Sequence, residues 1–239
     1  MSKKVINQKT NYDLELFNSI ESNFIFNKTP INRLNNKSAY SKIKTDQKTK
    51  SLAELKYEIN TIKNCSLKTN SPKIIFGDGN INSSIMIVGE APGIEEVKSE
   101  KLFMGESGNL LKKMLIAINI KKENVYSTYA VNFRPPEDRK PTSIEIKRYS
   151  SYLQKHISII KPKIIILMGS TAMEALTGLN SKISSERGKW KEIIVKNTCY
   201  NTIITFNPSY LLKVPENKKY SWEDLKKIKQ KIKDLNLKI

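Results

Sequence analysis

Only two cysteines, Cys65 and Cys199, and a single histidine, His156, occur in the 239 residues. That excludes a disulfide framework and leaves no combination of Cys and His able to build a zinc site. Long apolar runs are missing too: no stretch approaches the roughly eighteen apolar residues of a membrane span. Met1-Ser-Lys-Lys is not followed by the apolar core of a signal peptide. A cytoplasmic protein with no membrane association is therefore expected. Acidic residues are scarce, 23 Asp and Glu against 42 Lys and Arg, giving a net charge of +19. This balance favours a polyanionic partner such as nucleic acid over a neutral metabolite, although a Lys-, Ile- and Asn-rich composition also reflects an AT-rich genome.

Residues 1–50 contain no glycine and carry ten Lys or Arg against four Asp or Glu. They read as a basic, mostly flexible extension. Within it, Leu14, Phe17, Ile20, Phe24 and Phe26 make a rough helical stripe over 12–26, either a docking helix or a transient one. From residue 51 to 239 elements alternate, as in one domain. The pattern predicts a helix from Leu52 to Ile62, a short strand from Ile74 to Phe76 and a buried strand from Ile85 to Val88. A helix around Leu110 to Ile118 has Ser107 as its expected cap, and Val125 to Val131 is strand-like. Thr142-Ser-Ile-Glu145 is a capping box opening a helix to about Ile160, and the apolar Ile164 to Leu167 follows as strand. A short helix from Thr171 to Leu176, strands at Ile193 to Val195 and Thr202 to Phe206, and a helix from Trp222 capped by Ser221 complete the series. Strand alternating with helix implies an α/β fold, a three-layer α/β/α sandwich with a mainly parallel central sheet.

In such a sheet ligands sit beyond the carboxyl ends of the strands. The segments leaving those ends are 89–93, 129–139, 169–171 and 207–212, each polar or rich in Gly and Pro. Gly89-Glu-Ala-Pro-Gly93 lets backbone approach a ligand closely, and Glu90, Glu95 and Glu96 add carboxylates. Phosphate cradles and nucleotide sites share the glycines, but the carboxylates argue against a simple phosphate cradle. Arg134-Pro-Pro-Glu-Asp-Arg-Lys-Pro141 is either a stiff basic loop suited to gripping phosphate or an ordinary exposed turn.

Taken in order, five segments resemble the family-4 uracil-DNA glycosylases over roughly Leu52 to Ile232. They are Gly89-Glu-Ala-Pro-Gly93 with Glu96, Leu102-Phe-Met-Gly105 followed by Ser107-Gly-Asn-Leu-Leu111, Arg134-Pro-Pro136 with Arg139 and Pro141, Arg187-Gly-Lys-Trp190, and Pro208-Ser-Tyr-Leu-Leu212. The resemblance implies an α/β/α enzyme that flips uracil out of DNA and removes it, with DNA containing uracil as its partner. It places the base against the backbone of the first loop, at Gly89 and Ala91, with Phe103 on the ring face and Tyr129 at the base edge. Phe103 as simple core packing is the competing reading. DNA phosphate falls to Arg134, Arg139, Ser170 and Ser209.

Departures from the family pattern matter as much. Four cysteines hold a 4Fe-4S cluster in the family; here only Cys65 matches, with Ile62, Phe133 and Tyr149 at the other three positions, and Cys199 lies too far along. No cofactor is therefore expected, with Phe133 and Tyr149 packing in the cluster's place. The family histidine is Asn207, whose amide can still donate to a uracil oxygen but cannot carry positive charge. The asparagine that reads the uracil edge is Tyr129, and another asparagine is Asp138. Where family-1 enzymes have an aspartate, this chain has Ala91. The catalytic set is then Glu90, Glu96 and Asn207: Glu96 to orient water or stabilise the sugar cation, Glu90 to fix the loop. The alternatives are solvated loop carboxylates for both, a catalytically impaired DNA-binding member, and a glycosylase with altered deaminated-base specificity. A monomer is expected.

Overall fold

The structure, a computed structural model, describes residues 37–237. Two compact units are distinguished, Met1–Lys42 and Ile43–Ile239. The described residues of the first are helical, and the candidate docking helix at 12–26 lies outside the described residues.

At the centre of the second unit is a six-stranded sheet: β1 (Gly77–Gly79), β2 (Ile85–Gly89), β3 (Tyr126–Tyr129), β4 (Ile164–Met168), β5 (Trp190–Val195) and β6 (Thr198–Thr205), in spatial order β1-β3-β2-β4-β6-β5. The four central strands run parallel, while β1 and β5 pair antiparallel at the two edges. The expected mainly parallel sheet is thus matched in its middle and not at its rims. At one edge the reason is the tight turn at Lys196 and Asn197, both at positive φ, which joins β5 to β6 as a hairpin.

Side-chain alternation sorts the helices into two layers. Met86, Val88, Ile165 and Leu167 face α1 (Lys37–Asn60), α2 (Ser66–Asn70), α5 (Ser143–Ile160) and α6 (Ser170–Thr177). Ile85, Ile87, Ile164, Ile166 and Met168 face α4 (Gly105–Ala117), α8 (Pro208–Lys213) and α9 (Lys218–Asp234). A strand buried on both faces has no solvent side, which is why β2 and β4 read as continuous apolar runs. Two short helices, α3 (Ile94–Ser99) and α7 (Ile183–Glu186), sit in the loops.

Local chemistry accounts for several boundaries. Thr142 caps α5 by accepting from the Glu145 amide while the Glu145 carboxylate accepts from the Thr142 amide, the reciprocal box the sequence predicts. Elsewhere the structure differs from expectation. Helix α1 starts at Lys37, well before Leu52, and Lys48 within it donates to the carbonyls of Ile81 and Ile160. Residues 74–76 are not strand, because the Thr128 hydroxyl and the Asn132 amide occupy the Phe76 and Ile75 carbonyls, and the ladder begins at Gly77. Ser107 lies inside α4 and donates back to Met104, which is the true N-cap. Ser221 is likewise inside α9 and buried, not its cap.

Candidate active site

The chain after β2 leads to α3 and α4 on one face of the sheet; after the adjacent β4 it leads to α6 on the other. A crevice opens where neighbouring connections diverge in this way. Here it is a cavity of about 550 Å³, walled by the loops that follow β2, β3, β4 and β6. Of the residues expected in a base pocket, Ala91, Phe103 and Tyr129 line it. Gly89 lies just behind: a Cβ there would come within 2.9 Å of the rings of both Tyr129 and Phe103. The two rings touch, 5.0 Å apart and tilted by 46°. Phe103 holds a left-handed backbone, φ 52°, that a non-glycine residue adopts only under constraint. The constraint is visible: its amide donates to the Tyr129 hydroxyl at 3.0 Å, and its carbonyl sits where a Cβ on Gly108 would collide with it. Burial, with the Glu96 carboxylate alongside, pushes the Tyr129 phenol well above its ordinary range, so it stays protonated.

The two carboxylates are placed differently. Glu96 is buried and held from two sides: one oxygen accepts from the Gly93 amide at 3.0 Å and the other from the Met104 amide at 2.9 Å. It ties the first loop to the start of α4. Glu90 is only partly buried and lines the cavity. Its Oε2 accepts from Asn207 Nδ2 at 2.6 Å, and its Oε1 lies 3.4 Å from the Thr171 amide at the start of α6. Gly169, at φ 98°, makes room for it, since a Cβ there would meet the carboxyl group at 2.7 Å. Asn207 is the N-cap of α8; its Oδ1 accepts from the Ser209 amide at 3.1 Å. That contact fixes the amide orientation and turns the NH₂ toward Glu90, with one N–H to spare. Of the pair expected to divide the labour, Glu96 to orient water or stabilise the sugar cation and Glu90 to fix the loop, it is Glu96 that the loop amides hold on both oxygens, while Glu90 bonds to Asn207 at the cavity.

The expected phosphate ligands are only partly brought together. Arg139, Ser170 and Ser209 line the cavity; Arg134 does not. Arg139 donates through both Nη atoms to Glu145, at 2.9 and 2.7 Å, and Arg134 Nε donates to Asp138 at 2.6 Å. Both guanidiniums are thus turned onto carboxylates of their own chain. Lys140, part of the expected basic loop, and Lys213, for which no role is expected from sequence, also line the cavity, and Lys140 donates to the Ser170 hydroxyl.

Comparison with known proteins decides the family. Residues 76–228 match the uracil DNA glycosylase superfamily. Among relatives, the type-4 uracil-DNA glycosylase of Thermotoga maritima is 36% identical over 172 residues, covering 71% of this chain and 88% of its own. That of Sulfurisphaera tokodaii is 37% identical over 192 residues, 75% and 84% of the two chains, and that of Archaeoglobus fulgidus 31% over 182 residues, 74% and 92%. The chain belongs to the uracil-DNA glycosylase superfamily.

Membership raises the question of the cluster that family-4 glycosylases are expected to carry. The residues here do not fit it. Cys65 is buried with its sulfur 3.1 Å from the Tyr149 hydroxyl, Phe133 and Tyr149 are fully buried with rings 6.4 Å apart, and Ile62 packs on the same core. One thiol among two aromatic rings and an aliphatic side chain offers no four-thiolate cage. Among the described residues no group of three or more His, Cys, Asp or Glu is placed to hold a metal ion.

Another glycosylase motif turns out to be structural. Arg187 of Arg187-Gly-Lys-Trp190 forks onto Asp224, a fully buried carboxylate that also accepts from the Thr205 hydroxyl at 2.9 Å. Gly188, at φ 71°, leaves space for that carboxylate. Residues 187 and 224 are too far apart in sequence for the pair to be read there; a lone acidic residue on the apolar stripe of α9 was the available signal.

Proposed function

We propose that this chain hydrolyses the N-glycosidic bond between uracil and deoxyribose in DNA, leaving an abasic site, the opening step of base excision repair. Family membership, shared with relatives named for uracil-DNA glycosylase activity, supports the chemistry. An aromatic-walled cavity at the strand ends supports a flipped base as the occupant. The observation that carries the reading is the Glu90–Asn207 pair opening into that cavity beside Phe103.

The chemistry follows from what each group can still do. Uracil enters with one face on Phe103, and stacking contributes about 1 to 3 kcal/mol. As the bond from C1′ to N1 breaks, its electron pair moves into the uracil ring and onto a carbonyl oxygen. The remaining N–H of Asn207, oriented by Glu90 and the start of α8, donates to that oxygen. The sugar becomes an oxocarbenium ion. With Ala91 offering no carboxylate, Glu90 is the negative charge left to stabilise the cation and accept a proton from the water that attacks C1′. Glu96 acts as a positioning residue that holds the loop and Phe103 in register. Ser170, Ser209 and Lys140 steady the DNA backbone, and Arg134 and Arg139 join them when phosphate displaces their carboxylates.

In this reading the protein works without an iron–sulfur cluster, as a monomer in the cytoplasm; among the described residues no helix is long and apolar enough to cross a membrane. Purified protein is then folded, colourless and free of iron; stoichiometric iron would refute the cluster-free reading. The reaction itself is tested by single-turnover excision from oligonucleotides carrying U·G, U·A or single-stranded uracil. Excision that falls in Asn207→Ala is the expected result. Tight binding without excision would instead establish the catalytically impaired DNA-binding reading, which the joint departures at Asn207, Tyr129 and Asp138 favour. Excision of another deaminated base in preference to uracil would point to altered specificity at Tyr129, whose hydroxyl accepts from the Phe103 amide and has the Glu96 carboxylate beside it.

A further inference from the structure

A second cavity, of about 740 Å³, adjoins the first across a shared wall that includes Lys140, Ser170, Phe206 and Tyr210. Its remaining lining comes from residues around 180–184, Arg187, Asn217 and Tyr220, which the proposed reaction does not use. Two large aromatic rings are exposed beside it, Tyr210 at 39% and Tyr220 at 43%. Both are held rather than loose. The Tyr210 ring lies 5.1 Å from Phe206, and its hydroxyl accepts from Asn217 Nδ2 at 2.8 Å. The Tyr220 ring has the Arg187 guanidinium 5.4 Å and Lys219 Nζ 5.0 Å from its centre. Rings fixed in advance lose little freedom when a planar ligand stacks on them.

Charge and continuity select the ligand. Arg187 is neutralised by Asp224, so the cations that remain in the lining of this cavity are Lys182 and Lys140, with Lys219 against the Tyr220 ring beside it. Lys140 sits with the Ser170 hydroxyl on the wall common to both cavities. If successive bases of one strand occupy the two cavities, the phosphate between them must cross that wall, where a cation and a hydroxyl wait for it.

We infer that the second cavity binds the base of the nucleotide adjacent to the excised uracil on the same strand, with the linking phosphate on Lys140 and Ser170. The inference rests on the uracil-excision reading and deepens it. It makes single-stranded or frayed DNA the preferred substrate class, because a neighbour held paired and stacked in a duplex cannot enter the cavity.

The test is equilibrium binding, read by fluorescence anisotropy, to a single-stranded oligonucleotide with a central non-cleavable uracil nucleotide. The base of its 5′ or its 3′ neighbour is deleted in turn with a tetrahydrofuran spacer. Deletion on one side weakens binding about 5- to 100-fold, as loss of one stacked base requires, and on the other side changes it less than about twofold. Tyr220→Leu abolishes the side dependence. Asn217→Ala, which releases the Tyr210 hydroxyl, reduces it and carries the test should Tyr220→Leu fail to fold. Equal losses on both sides, a side dependence unchanged in both variants, or equal affinity for the matched duplex would overturn the inference. Excision measured in parallel separates the two readings: uracil removed with no neighbour dependence sinks only this inference, whereas neighbour-dependent binding without excision sinks only the reaction.

Discussion

Two places depart from the glycosylase pattern, and they have been refilled in opposite ways. Around Cys65, Phe133 and Tyr149, apolar rings close the space and one thiol–hydroxyl contact uses up the polar groups. At Glu90 and Asn207 the polar groups also satisfy one another, but they stay partly open to a cavity and Asn207 keeps a spare N–H. A saturated, buried replacement contributes to stability alone. An unsaturated one at a cavity remains available to a ligand. This contrast predicts that changes at the pocket alter rate with little effect on stability, and changes at the filled site alter stability with little effect on rate.

The largest effect is expected at the pocket. Glu90→Gln lowers single-turnover excision about 10²- to 10⁴-fold, the range for loss of a charge-stabilising or proton-accepting group. Asn207→Ala lowers it about 10²- to 10³-fold, as for an oxyanion donor. Glu90→Gln should shift the denaturation midpoint only slightly, whereas Asn207→Ala also removes the α8 cap and costs about 0.5 to 2 kcal/mol, less than the loss expected at the filled site. Glu96→Gln separates positioning from chemistry: it retains one of two backbone contacts and loses the other, so excision falls together with stability. A Glu96→Gln protein of undiminished stability that had nevertheless lost excision would return Glu96 to the water.

At the filled site, Tyr149→Ala empties space occupied by a fully buried ring and destabilises the fold by about 3 to 5 kcal/mol, measured by chemical denaturation. Below its unfolding temperature the variant excises uracil at the parental rate. A selective loss of excision at intact stability would break the comparison.

Much of this layout was legible before the structure, for reasons that also mark where legibility stops. The strands β2 and β4 announce themselves because both faces are buried, and the α5 start because Thr142 and Glu145 satisfy each other within one turn. Helix α1 is legible only from Leu52, since Leu52, Leu55 and Ile59 carry its buried face and residues 44–51 before them are exposed or only partly buried. The ladder's start at Gly77 depends on Thr128 and Asn132, side chains roughly fifty residues away. In the candidate site, the loops could be placed because strand ends collect ligands, but which carboxylate meets solvent could not. Glu90 and Glu96 look alike in sequence, and only the two amides converging on Glu96 tell them apart. The arginines mislead for a similar reason: Asp138 and Glu145, close by in the chain, compete for them before any phosphate arrives.

A polar pair in the same layer as Tyr149 sharpens the comparison through pH. His156 is buried, stacked 4.5 Å from Phe76 and hydrogen-bonded through Nε2 to the Tyr126 hydroxyl at 2.8 Å. Burial pushes its pKa down to about 3, so the native protein holds it neutral while the unfolded chain protonates it near pH 6.5. Between those values the unfolded state binds more protons. Stability contributed by this residue is therefore complete above about pH 6.5 and is lost as pH falls, by about 1.4 kcal/mol per pH unit. His156→Gln, which keeps a hydrogen-bonding partner for Tyr126, should flatten this part of the slope between about pH 6 and about pH 4. Equal slopes in the two proteins would mean that His156 is already charged in the native state.

The smallest effect is the most discriminating about what replaced the missing cysteines. Tyr149→Phe keeps the ring in place and removes only the hydroxyl that contacts Cys65. If that contact is part of the filling, the variant loses about 0.5 to 1.5 kcal/mol, the net value of one buried hydrogen bond. Cys65→Ala should lose more, because it also vacates a buried side chain and leaves the Tyr149 hydroxyl without its partner. Adding Tyr149→Phe to Cys65→Ala should then cost almost nothing further, since the hydroxyl no longer has a sulfur to meet. A double-mutant cycle with no coupling would show that the rings alone close the site and that Cys65 and Tyr149 are neighbours without being partners.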